Sequence, residues 1–188
     1  MDTPTPPRPR TAASATVKHA SGHVRVRRIR TTDAPAIEHF YAALSAESRR
    51  TRFFAVGVGI SHRQSVSFCT PDHDHREGFV AIATQATSGA ERMVGHLCLE
   101  PAGPGVAEVA IAVADGSQHR GIGRRLMEAG IEWARAEGYT RLTATTLAGN
   151  APIHRLLAGL GLPAHAQPGP DSGTEDIVID LRAQVVEA

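Results

Sequence analysis

The stretch Gln118-His119-Arg120-Gly121-Ile122-Gly123 joins two elements whose types are set by their hydrophobic patterns, and this junction constrains the fold more than any other feature of the chain. Before it, residues 106–114 form an apolar run with a single charge, Glu108, which reads as a strand buried on both faces. After it, Ile122, Leu126, Ala129 and Trp133 fall on one helical stripe, with Met127, Ile131 and Ala134 beside them. The opposite face carries Arg124, Arg125, Glu128, Glu132, Arg135 and Glu137, and Gly138 suits the position just past the helix end. Strand, short glycine-bearing loop and helix together aim several free backbone N–H groups and the positive end of a helix dipole at one point. Such a point binds phosphate. The glycines allow the phosphate to approach the backbone.

Two common phosphate-binding patterns fail. A dinucleotide fingerprint needs a third glycine where Arg125 or Leu126 stands, and an acidic residue about 20 positions on, at the end of the next strand. Residues 140–146 offer neither aspartate nor glutamate. A nucleoside-triphosphate loop needs Gly-Lys-Ser/Thr, a tripeptide this chain does not contain.

A third pattern fits. Gln/Arg-x-x-Gly-x-Gly/Ala at the start of a long helix, after a buried strand, resembles the acyl-CoA loop of the GNAT N-acetyltransferase superfamily. Asn150, opening Asn150-Ala151-Pro152-Ile153-His154-Arg155-Leu156-Leu157 and running on to Leu160-Gly161-Leu162, is similar to the second signature of that family. The resemblance covers roughly residues 24–182. It implies an α/β (α+β) GNAT fold: a central mixed, mostly antiparallel sheet with splayed central strands, flanked by helices. The order of elements suits this. Strands are expected at 24–30, 78–84, 93–100, 140–146 and 175–181, with the turn cluster 168–173 before the last. A helix is expected to open at Thr32 or Asp33, an N-cap before Ala34-Pro35, and another from Asn150.

The resemblance implies a substrate and a site. Acetyl-CoA would serve as co-substrate, with Ile111, Ala112 and Val113 offering backbone groups to its pantetheine arm. Gln118, His119, Arg120, Gly121, Ile122, Gly123 and Arg124 would hold the pyrophosphate, and Asn150 would meet the pantetheine or cap its helix. The N–H of Val113 would donate to the oxyanion. Glu108 is the candidate base, since a free lysine amine titrates near ~10.4 and must lose a proton before it attacks. A carboxylate in an apolar strand is expected to be paired or to stand at a cleft edge, where partial burial would raise its pKa. Many family members carry a tyrosine, acting as general acid, where this chain has Leu157. A thiolate with a pKa near ~8.5 is a fair leaving group without one.

Residues 44–54, Leu-Ser-Ala-Glu-Ser-Arg-Arg-Thr-Arg-Phe-Phe, resemble a segment of the GNAT domains of bacterial protein lysine acetyltransferases. The acceptor implied is a protein lysine. A small amine or antibiotic, or acyl-CoA binding without turnover as in a sensor, are the other two readings. Arg49, Arg50 and Arg52 are either a solvated helix end or readers of an acidic surface. Asp72-His73-Asp74-His75 is expected to be a solvated loop rather than a metal site, and no metal is expected elsewhere.

With 188 residues and a net charge of +1, the chain suits a single domain at 23–188, and nothing in it requires nucleic acid or a membrane as partner. Residues 1–22, rich in Pro, Thr, Ala and Ser, are expected to be a disordered tail. They lack the apolar core of a secretory signal, and the expected compartment is cytoplasmic, with Cys69 and Cys98 as reduced thiols. A homodimer would match family habit, although no exposed apolar stretch demands one.

Overall fold

The computed structural model describes residues 16–19, 22–54 and 59–182. Eight strands form one sheet: β1 (Thr16–His19), β2 (Gly22–Arg28), β3 (Glu77–Gln85), β4 (Glu91–Gly103), β5 (Val106–Val113), β6 (Arg141–Leu147), β7 (Ala164–Pro168) and β8 (Thr174–Asp180). Their spatial order is β1-β2-β3-β4-β5-β6-β8-β7, antiparallel throughout except for β5 against β6. Among the described residues five α-helices flank the sheet: α1 (Ala34–Ala42), α2 (Ala46–Phe53), α3 (His62–Phe68), α4 (Ile122–Ala136) and α5 (Ala151–Ala158). This is the mixed, mostly antiparallel architecture that the family resemblance implied.

The sheet has two unlike faces. On one, α4 presses the stripe Ile122, Leu126, Met127, Ile131 and Trp133 onto Leu97, Leu99, Ala107, Val109 and Leu142, an almost wholly apolar layer. The approach is close because β4 carries Gly95, where a Cβ would stand 2.8 Å from Leu126 Cδ1. On the other face, α1 and α3 cover Val80, Ile82 and Met93 with Ile37, Phe40, Tyr41 and Leu44, but polar groups are buried there too. The Tyr41 hydroxyl and His96 Nδ1 lie 2.8 Å apart in full burial. Glu77, equally buried, meets Arg28 at 3.2 Å and His73 at 3.1 Å.

Several expectations change. The central strand is not buried on both faces: Ala107 and Val109 are buried, whereas Glu108 is exposed. One face lies under α4, while the other has only the short α2 over part of it. The expected tail 1–22 falls mostly outside the described residues, but Thr16–His19 pairs with β2, setting Val17 against Val24. Asp33 occupies the N-cap of α1 without bonding its helix; it takes Arg27 at 2.7 and 2.8 Å and the N–H of Arg30 at 2.8 Å. The loop 71–76 is organised by Asp72, whose carboxylate accepts the N–H groups of Asp74, His75 and Arg76. Helix α3 and the edge strand β7 were not anticipated, and α2 was foreseen only as a possible helix end at Arg49, Arg50 and Arg52.

Candidate active site

Strands β5 and β6 pair only at their beginnings, Val106, Ala107 and Glu108 against Arg141, Leu142 and Thr143, and then part. The direction of the β5 backbone past that point follows from its other neighbour. The N–H of Ala114 donates to Val94 O at 2.9 Å, on the same register that sets Val113 against Gly95. Strand peptide groups alternate sides, so those of Val113 and Ile111 face away from β4 and into the gap left by β6. The Gln118 side chain confirms this direction, since its Nε2 donates to Val113 O at 3.2 Å. A pair of parallel strands that diverges thus exposes an unsealed length of backbone edge in the middle of a sheet.

The phosphate loop closes one end of the gap. Left-handed conformations at His119 (φ 57°) and Gly121 (φ 75°) curl the loop, and Gly121 serves as the N-cap of α4. The first intrahelical bond runs from Arg125 N to Gly121 O at 3.1 Å. The N–H groups of Ile122, Gly123 and Arg124 therefore have no intrahelical acceptor, and the helix dipole adds to their field. Such a concavity suits a pyrophosphate. Arg124 pairs with Glu128 at 2.7 Å on the exposed side of α4, and Arg125 reaches across to Val24 O at 2.9 Å and ties α4 to β2.

These parts meet in one cavity of ≈ 680 Å³. Ile111, Ala112, Val113, Gln118, His119, Gly121, Ile122, Gly123, Arg124 and Asn150 all line it, whereas Arg120 and Glu108 do not. Asn150 does not cap α5 with its side chain; its Nδ2 donates to the buried Thr146 Oγ1 at 2.7 Å. The opposite wall is α2, contributing Glu47, Ser48, Arg50, Thr51 and Arg52, and no local pattern in residues 46–53 signals that this segment faces the cofactor loop.

Helix α2 buries none of its residues and is held by polar contacts. The Asp115 carboxylate accepts Ser45 N (2.9 Å), Ser45 Oγ (2.7 Å) and Ser48 Oγ (2.7 Å). Burial works against that charge, but the two hydroxyls and the backbone N–H outweigh it and hold the carboxyl below its ordinary range. Gln118 Nε2 also reaches Ser48 Oγ, at 3.4 Å, so one clasp joins α2, the end of β5 and the phosphate loop. The three arginines of α2 divide their work. Arg49 donates to the carbonyls of Ala42 and Leu44, Arg50 is exposed at the cavity, and Arg52 turns inward over the rings of Phe53 and Phe68.

Glu108 stands on the open face of β5, opposite Glu100 of β4, which Arg76 holds at 2.6 Å. Leu157 is buried in the core beneath α5. The chain has two tyrosines. Tyr41 is fully buried, and the Tyr139 hydroxyl donates to His75 O at 2.8 Å; neither lines the cavity.

A sheet split between parallel strands, with a helix N-terminus at the mouth of the split, defines an acyl-CoA-binding transferase fold. The sequence model of the acetyltransferase (GNAT) family matches residues 38–162, and the chain belongs to that family. It is an acetyl-CoA-dependent N-acetyltransferase. Among solved structures, the GNAT domain of S. lividans PAT is similar at 27% identity and a TM-score of 0.75, over 89% of this chain and 96% of that one. A GCN5-related N-acetyltransferase from Kribbella flavida shares the fold at 23% identity and a TM-score of 0.64, over 84% and 97%. So does yncA from Salmonella typhimurium, a putative acetyltransferase whose structure includes its cofactor acetyl-CoA, at 17% identity and a TM-score of 0.66, over 87% and 96%.

Among the described residues no helix is long and apolar enough to cross a membrane, and no cluster of three or more His, Cys, Asp or Glu is placed to hold a metal ion.

Proposed function

We propose that the acceptor is a lysine side chain of a protein, acetylated by direct attack with Glu108 as the base. The observation that carries this reading is the exposure of Glu108 on an uncovered sheet face. A group in that position serves a nucleophile that arrives on a large partner, whereas a small amine would be served by an enclosed acidic pocket. The likeness of residues 44–54 to protein lysine acetyltransferases supports the same acceptor. Two buried thiols without a disulfide suit a reducing, cytoplasmic setting.

Acetyl-CoA would lay its pyrophosphate on the loop 118–124 and its pantetheine along the open edge of β5, with Asn150 on the far side. Two gap-facing N–H groups are available for the thioester carbonyl. Val113 is the donor that the family resemblance implies. At about 3.3 Å per residue Glu108 is roughly 17 Å along the strand from Val113 and roughly 10 Å from Ile111. Base and oxyanion donor come closest when the carbonyl sits at Ile111, which leaves Val113 to the pantetheine. Glu108 then takes the amine proton through water, the C–N bond forms, and the C–S bond breaks to release the thiolate. Leu157 offers no proton, and none is required of a leaving group with a pKa near ~8.5.

The test follows thiol release from acetyl-CoA with a pool of bacterial proteins and with a panel of small amines, wild type beside Glu108→Gln. Release with the protein pool that falls about 100-fold or more in the variant is the expected result, in the range general base catalysis supplies. Release with small amines alone would reassign the acceptor. An unchanged rate in Glu108→Gln would remove the base. Tight acetyl-CoA binding without turnover on either pool would instead make the protein a sensor.

A further inference from the structure

Arg52 is the one arginine of α2 that points into the protein. Its Nη2 lies 3.4 Å from Cys98 Sγ, its guanidinium stands 4.9 Å from the centre of the Phe53 ring and 5.9 Å from that of Phe68, and its shielded Nε has no hydrogen-bond partner. It makes no ion pair among the described residues. A cation shielded in this way needs a counter-charge. Its surroundings offer three candidates: Tyr41, Cys98 and Glu108. Burial pushes the Tyr41 hydroxyl up to about 12 and raises the Cys98 thiol, so both are neutral near pH 7. Glu108 is the remaining anion.

The register places Glu108 near Cys98, the residue that Arg52 touches. Cys98 sits directly across from Ala110, and Glu108 lies two residues along β5 on the same face. That diagonal spans about 7–8 Å, within reach of two long side chains. We propose that Arg52 is a positioning residue for Glu108: carried in by α2 and held against Phe53, Phe68 and Cys98, its guanidinium orients the Glu108 carboxylate at the edge of the acceptor channel. The inference rests on the reading of Glu108 as the base. It gives α2 a second function. The clasp at Asp115 fixes the helix at its first turn, and Arg52 at its last turn transmits that placement to the base.

The experiment is a double-mutant cycle on the full chain. Arg52→Met keeps the packing stem on the two rings, Arg52→Lys keeps the charge, and each is combined with Glu108→Gln. Turnover, the KM for acetyl-CoA and thermal unfolding are measured for every variant. Arg52→Met is expected to lower kcat at least 10-fold with KM within about twofold of wild type, and Arg52→Lys to recover part of that loss. In the Glu108→Gln background Arg52→Met should cost nothing further, because the carboxylate it serves is gone. Wild-type turnover in Arg52→Met, or a loss that multiplies with that of Glu108→Gln, overturns the pairing and leaves the base in place. Full activity in Glu108→Gln alone removes the base, and the pairing with it. A variant that unfolds is replaced in the cycle by Arg52→Lys, whose partial loss must likewise vanish beside Glu108→Gln; a loss that persists there overturns the pairing.

Discussion

The α4 face and the α1–α3 face of the sheet are held together by different physics. Under α4 the contacts are Leu, Ile, Val, Met and Trp side chains meeting one another, and Gly95 brings the helix close. Across the sheet, Tyr41, His96, Glu77 and Asp33 are enclosed along with the apolar residues, and α2 hangs from Asp115 with no fully buried residue of its own. One face is a frame that fixes the phosphate loop. The other is adjustable, and the proposed acceptor chemistry belongs to it. Apolar contacts are insensitive to pH, whereas buried polar groups and carboxylate clasps are not. The two faces should therefore fail under different conditions.

The largest effect separates them by packing alone. Leu126 is fully buried against Gly95. Leu126→Ala should lower unfolding free energy by about 3 kcal/mol, within the range for large-to-small core changes. Denaturant titration at pH 7 and pH 5 should give the same loss. A loss below about 1 kcal/mol would contradict a close-packed α4 face.

The polar face should answer to pH. Burial pushes the imidazole of His96 down to about 3, so it is neutral in the fold and takes a proton on unfolding. The unfolded state then binds more protons between about pH 6.5 and pH 3, and stability falls as pH drops through that window. The slope attributable to His96 is about 1.4 kcal/mol per pH unit. His96→Gln should flatten it, and an unchanged slope would place the acid sensitivity elsewhere.

This asymmetry also explains what the sequence disclosed. The frame was legible because a period near 3.6 in residues 122–134 and an apolar run in 106–114 state their partners directly. The residues that the family resemblance assigned to acetyl-CoA, Ile111 to Val113, Asn150 and the glycine loop apart from Arg120, line one cavity on that frame. The other side was not legible. The strand around Glu108 looked buried on both faces because its residues are apolar, but enclosure depends on what covers the sheet, and α2 covers little of it. Ser45, Ser48 and Asp115 bond across about 70 positions of chain, and no local pattern signals such a contact. The inward turn of Arg52 is a matter of one rotamer on a helix that is otherwise polar all round.

The clasp offers a third comparison, smaller than the first two. The folded-state pKa of Asp115 is depressed, so its contribution is present above the ordinary value of 3.8 and lost as pH falls through the lower folded value. Asp115→Asn should leave the α4 frame intact and loosen α2, raising the KM for the acceptor several-fold while thermal unfolding moves by only a few degrees. Equal damage to the KM for acetyl-CoA would mean that the clasp serves the phosphate loop as much as the acceptor wall.

The smallest effect is a control on both faces. Arg25 and Glu91 meet at 2.8 Å across the outer sheet, but their side chains are 39% and 48% exposed. Water screens such a pair, and holding two long side chains in one geometry offsets most of the attraction, so exposed pairs contribute about 0–1 kcal/mol. Glu91→Gln should change stability by no more than about 0.5 kcal/mol and leave turnover untouched. Its geometry is as good as that of the Asp115 clasp, and it lies far from the cavity. If it nonetheless matched Asp115→Asn in its effect on turnover, hydrogen-bond length alone would be setting the phenotype. A null result there, beside a raised acceptor KM in Asp115→Asn, would instead show that location relative to the split between β5 and β6 makes a polar contact functional.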